Sequence, residues 1–124
     1  MRATKEILIV EDDYSFRWAL AIGLQRRNVD ADIAENGAEA MELLGRFDYR
    51  AVVLDLKLPK IGGEEIVQRL AESSQRPAVS IVTAYPEVAE RMKSEKSGVV
   101  RRTYVKPVDV RTLVDDLMGD LTAA

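Results

Sequence analysis

Short apolar runs alternate with amphipathic segments along this chain, and no other feature restricts its fold as strongly. The runs are too brief for helices and predict strands at 6–10, 31–34, 51–54, 78–82 and 99–105. The segments between and after them predict helices over 14–27, 38–47, 64–72, from Pro86 to the polar stretch 93–98, and over 110–121. Such strict alternation requires parallel strands, right-handed crossovers and helices on both faces of the sheet. We therefore predict an α/β fold, a three-layer, doubly wound parallel sheet of five βα units.

Length and composition restrict the function as well as the fold. A chain of 124 residues with 47% hydrophobic content predicts one domain over 1–124, with an ordered core at about 5–121. The net charge of −3, with both signs mixed along the chain, gives no basic surface of the kind that binds nucleic acid. The absence of cysteine and histidine excludes disulfides, thiolate nucleophiles, cysteine-ligated zinc and the commonest general base.

The chain also has no sequence pattern for a membrane or an export pathway. No apolar run approaches the roughly 18 residues that a membrane span requires. The N-terminus lacks the basic, apolar and small-residue succession of a signal peptide. We therefore expect a cytoplasmic protein that binds neither membrane nor nucleic acid directly.

Polar side chains follow the predicted strands at the points where the strands end. Glu11 and Asp12 follow the first strand, Asp55 the third, Thr83 the fourth and Lys106 the fifth. In doubly wound sheets, ligands bind outside these carboxyl ends. Carboxylates brought together repel one another unless a cation lies between them, and an oxygen-only ligand set favours Mg²⁺ or Mn²⁺ over zinc. With a metal bound, Asp55 can attack phosphorus and form an acyl phosphate, while Lys106 and Thr83 offset charge on the transferred oxygens.

Four motifs resemble those of the receiver domain of two-component response regulators. They are ILIVEDD at 7–13, VVLDLKLP at 52–59, IVTAY at 81–85 and VKP at 105–107. Each is weak alone, but together they span most of the chain and each ends a predicted strand. The resemblance implies the flavodoxin-like strand order 2-1-3-4-5. It also implies a signalling switch, not an enzyme, that accepts a phosphoryl group from a histidine kinase or a histidine phosphotransfer protein.

The resemblance assigns roles to individual residues. Asp55 is the phosphoacceptor, and Thr83 and Lys106 contact the phosphoryl group. The ligands of Mg²⁺, which Mn²⁺ can replace, are then Asp12, Asp55, the backbone carbonyl of Lys57 and, through water, Glu11. The phosphoryl group would change the surface around the fourth helix, fifth strand and fifth helix, which a downstream protein target or an output domain reads. A homodimer is compatible with this family, and so is either a stand-alone receiver or the receiver part of a longer regulator.

One position departs from the family pattern. The family usually has an aromatic residue three positions before the lysine, but here Thr103 is at that position and Tyr104 follows it. The interval from Thr83 to Lys106 is also about one residue longer than usual, so a bulge or insertion within 97–101 would restore Tyr104 to the surface. Otherwise the aromatic switch of the family, in which this ring turns inward on activation, is remodelled or absent in this chain. The adjacent Arg101-Arg102 pair is either a solvated basic turn or a contact for acidic residues of a partner.

Two other functions compete with the switch. A phosphohydrolase of the haloacid dehalogenase type usually has a second aspartate two residues after the first, where this chain has Lys57, and the chain leaves no room for a cap domain. A flavodoxin-like flavin carrier needs a phosphate-binding loop after the first strand, where Glu11, Asp12 and Asp13 would repel a phosphate. Asp13 also suits a helix N-cap, and Trp18 is expected to be partly exposed, with either a packing or a kinase-docking role.

Overall fold

A computed structural model describes residues 2–57 and 62–122. Its elements are β1 (Ala3–Val10), α1 (Tyr14–Gln25), β2 (Ala31–Ala34), α2 (Gly37–Arg46), β3 (Phe47–Asp55), α3 (Gly62–Ala71), β4 (Ala78–Thr83), α4 (Pro86–Lys93), β5 (Val100–Val105) and α5 (Val110–Thr122). The predicted order of strands and helices is confirmed. The predicted loop at Pro59, and Leu58 and Pro59 of the second motif, lie outside the described residues.

The strands form one parallel sheet in the order β2-β1-β3-β4-β5, as predicted. β1 lies between β2 and β3, so Val10 is opposite both Ala34 and Leu54. Farther along the sheet, Asp55 pairs with Val82, and Thr83 pairs with Val105. Because all the strands run the same way, this register brings the residues that follow β1, β3, β4 and β5 to a single edge.

Each face of the sheet has its own buried core, as a doubly wound architecture requires. Val52 and Leu54 of β3 belong to the core beneath α2, α3 and α4, whereas Ala51 and Val53 belong to the core beneath α1 and α5. The four residues are almost completely inaccessible to solvent. A continuous apolar run is therefore the expected sequence for this central strand, since neither face contacts water.

Two strands begin earlier than the sequence pattern indicates. β1 begins at Ala3 and β3 at Phe47, and the two strands pair from that point. Their first residues are partly polar and partly exposed, so an apolar run does not mark them. Phe47, which the helical spacing assigned to the end of α2, is instead the first residue of β3. Its ring lies 4.2 Å from the ammonium of Lys5 on β1, a cation–π contact between the strands.

Helix caps fix the loops that lead from strands into helices. The side chain of Asp13 accepts hydrogen bonds from the backbone N–H groups of Ser15 and Phe16 at the start of α1, which confirms its predicted cap role. Trp18 is 56% exposed, as its position on α1 predicts. In the described parts of the chain, no helix has both the length and the apolar composition that crossing a bilayer requires.

Candidate functional site

Three carboxylates converge at the carboxyl edge of the sheet. One oxygen each from Glu11, Asp12 and Asp55 lies within 4.8 Å of the other two. The convergence follows from the topology, because Glu11 and Asp12 follow β1, and Asp55 ends the neighbouring strand β3. Across residues 2–57 and 62–122, no other three carboxylates come so close together. They line a cleft of about 180 Å³ between the β1–α1 loop and the beginnings of α2 and α3.

Glu11 is the most deeply buried of the three carboxylates. Its residue is only 2% exposed, and its Oε2 accepts a hydrogen bond of 3.0 Å from the backbone N–H of Asp13. Burial raises the pKa of Glu11 to about 7, although the nearby ammonium of Lys106 opposes the rise. The proton of this group is therefore in equilibrium near neutral pH.

Asp55 has a buried oxygen with no hydrogen-bond partner among residues 2–57 and 62–122. Its side chain is 5% exposed, and Oδ2 accepts no hydrogen bond from the described residues. Two ammonium groups lie nearby, that of Lys106 at 3.6 Å and that of Lys57 at 3.8 Å. A buried carboxylate oxygen without a partner is costly, so its presence indicates a position for an additional bound group. The residues present therefore fit a hard cation beside Asp12 and Asp55.

Lys106 reaches this cluster from the end of β5. Its backbone N–H donates a 2.8 Å hydrogen bond to the carbonyl of Thr83, which fixes it against β4. Its Nζ lies 2.8 Å from Glu11 Oε1. Burial opposes the charge, but the carboxylates of Glu11 and Asp55 outweigh it and raise the pKa of Lys106 above its usual value. The peptide bond to Pro107 is cis.

Thr83 is fully buried at the end of β4, one residue beyond the partner of Asp55. Its Oγ1 accepts a 3.1 Å hydrogen bond from the backbone N–H of Tyr85. This bond uses a lone pair of the oxygen, so the hydroxyl proton stays available for an acceptor at the same edge.

The side chain of Lys57 was not predicted to take part in this site. The sequence assigned only its backbone carbonyl to the metal, yet its ammonium contacts Asp12 Oδ1. This contact lowers the pKa of Asp12 and raises that of Lys57, because each group stabilises the charge of the other. The only sequence signal for it is a basic residue two positions after the strand-end aspartate.

Tyr104, two residues before Lys106, lies on the opposite face of the sheet from Thr83. The pairs Val79–Val100 and Ser80–Arg102 leave Arg101 as the extra residue of a β-bulge, inside the predicted segment. Beyond the bulge, Tyr104 pairs with Val82 and packs in the core beneath α1 and α5. The bulge therefore leaves Tyr104 half-buried in this core and does not restore it to the surface as the sequence had led us to expect. Thr103, which pairs with Ile81, lies on the same face of the sheet as Thr83.

Two polar pairs join β5 to α5. The hydroxyl of Tyr104 donates to Asp116 Oδ2 at 2.6 Å, and Arg102 donates two hydrogen bonds, of 2.6 and 3.0 Å, to Asp120. Burial raises the pKa of the Tyr104 hydroxyl well above its ordinary value. Arg102 lies in β5 and pairs with Asp120 within the chain, so it is not part of a solvated turn, whereas Arg101 is exposed.

Comparisons with known proteins agree with this geometry. The sequence profile of the response regulator receiver domain matches residues 7–118. The transcriptional regulatory protein SrrA of Staphylococcus aureus is 35% identical over 111 residues, which are 90% of this chain and 45% of that protein. This chain spans less than half the length of the curated relatives that it matches.

Solved structures support the same assignment. A CheY-like receiver domain protein from Methanospirillum hungatei has a TM-score of 0.81 at 24% identity, over 96% of this chain and 94% of that one, and it bears on the fold alone. The response regulator TrrA of Thermotoga maritima, in complex with Mg²⁺ and BeF, has a TM-score of 0.75 at 28% identity, over 94% of this chain and 99% of that one. The profile match over residues 7–118 and the sequence relative at 35% identity show that the chain belongs to the receiver domain family of two-component response regulators, whose members are phosphoacceptor signalling domains.

Proposed function

We propose that this chain is a single receiver domain that takes a phosphoryl group onto Asp55 in a reaction that depends on Mg²⁺. The donor is the phosphohistidine of a sensor histidine kinase or of a histidine phosphotransfer protein. The observation that carries the proposal is the buried Asp55 oxygen, which has no hydrogen-bond partner in the described parts of the chain and lies between two carboxylates and two ammonium groups.

The metal would be held by the carboxylates at this edge. Asp12 and Asp55 would be direct ligands, the backbone carbonyl of Lys57 would be a third, and Glu11 would act through water. When bound, Mg²⁺ or Mn²⁺ offsets negative charge on the carboxylates and on the phosphoryl oxygens. The Mg²⁺ and BeF complex of the TrrA protein supports this choice of cation.

The side chains then divide the transfer between them. A carboxylate oxygen of Asp55 attacks phosphorus and forms the P–O bond of an acyl phosphate, while the P–N bond of the donor breaks and its electron pair returns to the imidazole nitrogen, which leaves. Lys106 lies 3.6 Å from Asp55 and offsets charge on the transferred oxygens. Thr83 offers its hydroxyl proton to one of the same oxygens.

The consequence of transfer is a change of surface, not release of a product. Thr83 and Lys106 are joined by a backbone hydrogen bond, so a shift of one moves the other and with it the surface of α4, β5 and α5. A downstream protein or an output domain reads this change, and homodimer formation is one form that the readout takes. We place the protein in the cytoplasm and assign it no direct contact with nucleic acid or membrane.

The test is acyl phosphate formation with a small-molecule phosphodonor. We expect wild-type protein to form a base-labile phosphoryl adduct only with Mg²⁺, and Asp55→Asn to form none. Asp30→Asn removes an exposed aspartate away from the site and is the matched control, expected to be labelled like wild type. Labelling of Asp55→Asn at the wild-type rate would contradict the assignment.

A further inference from the structure

The ammonium of Lys57 contacts one of the carboxylates that the proposed metal would use and lies near the other. It contacts Asp12 Oδ1 and lies 3.8 Å from Asp55 Oδ2. These two carboxylates are the direct side-chain ligands in the proposed function, on which this inference rests. In the described residues Lys57 has no other ion-pair partner. Its side chain therefore takes the role of a cation between two acids that would otherwise repel each other.

The two lysines of the site have different positions. Lys106 is 21% exposed and lies against the buried Glu11, on the inner side of the cluster. Lys57 is 38% exposed and pairs with Asp12, which is 51% exposed, on the side open to solvent. A cation that arrives from solvent meets Lys57 first, whereas Lys106 can keep its contact with Glu11 when a metal binds.

A lysine ammonium and a divalent cation compete for the same carboxylates. Both need the lone pairs of Asp12, and two positive charges a few ångströms apart repel each other. The side chain of Lys57 is flexible and partly exposed, so it can swing into solvent and leave its backbone carbonyl in place. Binding of the metal then includes the loss of the Lys57–Asp12 ion pair.

We propose that Lys57 is a built-in competitor of the divalent cation, and that it sets the Mg²⁺ concentration at which the site is filled. Removing the amine strengthens metal binding although it removes a residue of the site, because the carbonyl ligand belongs to the backbone and remains. An exposed ion pair without this role would behave differently, since its loss would leave metal binding almost unchanged.

The test is the dissociation constant of Mg²⁺, measured on the whole chain by isothermal titration calorimetry without a phosphodonor. We expect Lys57→Met to bind Mg²⁺ about tenfold more tightly than wild type, the size expected from removing a unit charge a few ångströms away at a solvent-exposed site. Lys57→Gln is a second neutral variant with the same expected direction. Lys57→Arg keeps the charge and is expected to bind as weakly as wild type.

Lys5→Met is the matched control. Lys5 is 42% exposed and pairs with Asp32 at 3.1 Å, so the variant removes the same charge and the same kind of ion pair near the start of β1, away from the carboxyl edge. We expect its dissociation constant to stay within about twofold of wild type, because a distant exposed charge is screened. Circular dichroism verifies that every variant is folded.

The results separate this inference from the proposed function. Equal dissociation constants for Lys57→Met and Lys5→Met would overturn the competition, even if Asp55 accepts a phosphoryl group. Failure of wild-type protein to form an acyl phosphate at saturating Mg²⁺ would overturn the proposed function. That failure would leave the competition intact if the neutral variants bind Mg²⁺ more tightly.

Discussion

Removing the hydroxyl of Tyr104 separates a structural role for this aromatic from a switching role. The hydroxyl donates a 2.6 Å hydrogen bond to Asp116 of α5, and the ring packs on the face away from Thr83. We therefore expect Tyr104→Phe to weaken the attachment of β5 to α5 and to leave the chemistry at Asp55 unchanged.

The size of the effect follows from the environment of this bond. A hydrogen bond to a charged acceptor contributes about 1.5–3 kcal/mol to the free energy of unfolding. Both Tyr104 and Asp116 are only partly buried, so water can replace the lost donor and the lower end applies. We expect a loss of about 1.5 kcal/mol, and for a domain of this size a fall in Tm of about 5 °C.

Urea denaturation followed by circular dichroism measures the loss, and acyl phosphate formation measures the chemistry. Tyr49→Phe is the matched control, because the Tyr49 hydroxyl donates a bond of the same length, 2.6 Å, to Asp32 near the opposite edge of the sheet. We expect both variants to lose stability and both to be labelled at the wild-type rate. If Tyr104→Phe keeps the free energy of unfolding of wild type but no longer responds to phosphorylation, the structural role is refuted.

Three further outcomes concern the metal and the core. We expect Mg²⁺ at a hundred times its dissociation constant to stabilise the fold by about 2.7 kcal/mol, and Asp12→Ala to abolish the rise in Tm; a metal-independent Tm in wild type would contradict this. Because the pKa of Glu11 is raised from 4.5 to about 7, protonated Glu11 favours the folded state below pH 4.5, and this stability is lost as the pH rises through about 7. The metal needs the ionised form of Glu11, so the rise in Tm caused by Mg²⁺ should become larger between pH 4.5 and about 7 in a series of melting curves. A rise in Tm that does not change with pH would count against the shifted pKa. Ser80→Ala removes a fully buried hydroxyl that has no partner among the described residues, so urea denaturation should show a free energy of unfolding that is larger by about 1 kcal/mol, and a smaller one would reveal an unrecognised hydrogen bond.

The convergence of the polar groups was predictable because it depends on topology. Once five strands alternate with five helices, all strands are parallel and their carboxyl ends share an edge, so Glu11, Asp12 and Asp55 must come close. The bounds of β3 were harder to predict, because Phe47 continues the helical spacing of α2 and the exposed Arg50 interrupts the apolar run. The pairing of β3 with β1, which is distant in sequence, decides where β3 begins.

Two features of the site depend on geometry that residue types do not encode. The longer interval between Thr83 and Lys106 predicted the bulge that the structure has at Arg101. The face on which Tyr104 lies, however, depends on which residue bulges, because a shift by one residue moves a side chain to the other face of the sheet. The direction of the Lys57 side chain depends on how the chain leaves β3 and on the position of Asp12 across the edge. The motif around Lys57 predicts that the backbone carbonyl binds the metal, but it does not predict where the side-chain amine lies.

The site of phosphoryl attachment is the most direct test of the central claim. Protein treated with a phosphodonor and Mg²⁺ can be reduced with borohydride, which converts an acyl phosphate into a stable alcohol, and then digested and mapped by mass spectrometry. The proposed function predicts that the reduced residue is Asp55, with Glu11 and Asp12 unmodified in the same digest. Reduction at another residue, or an unmodified Asp55 in labelled protein, would contradict it.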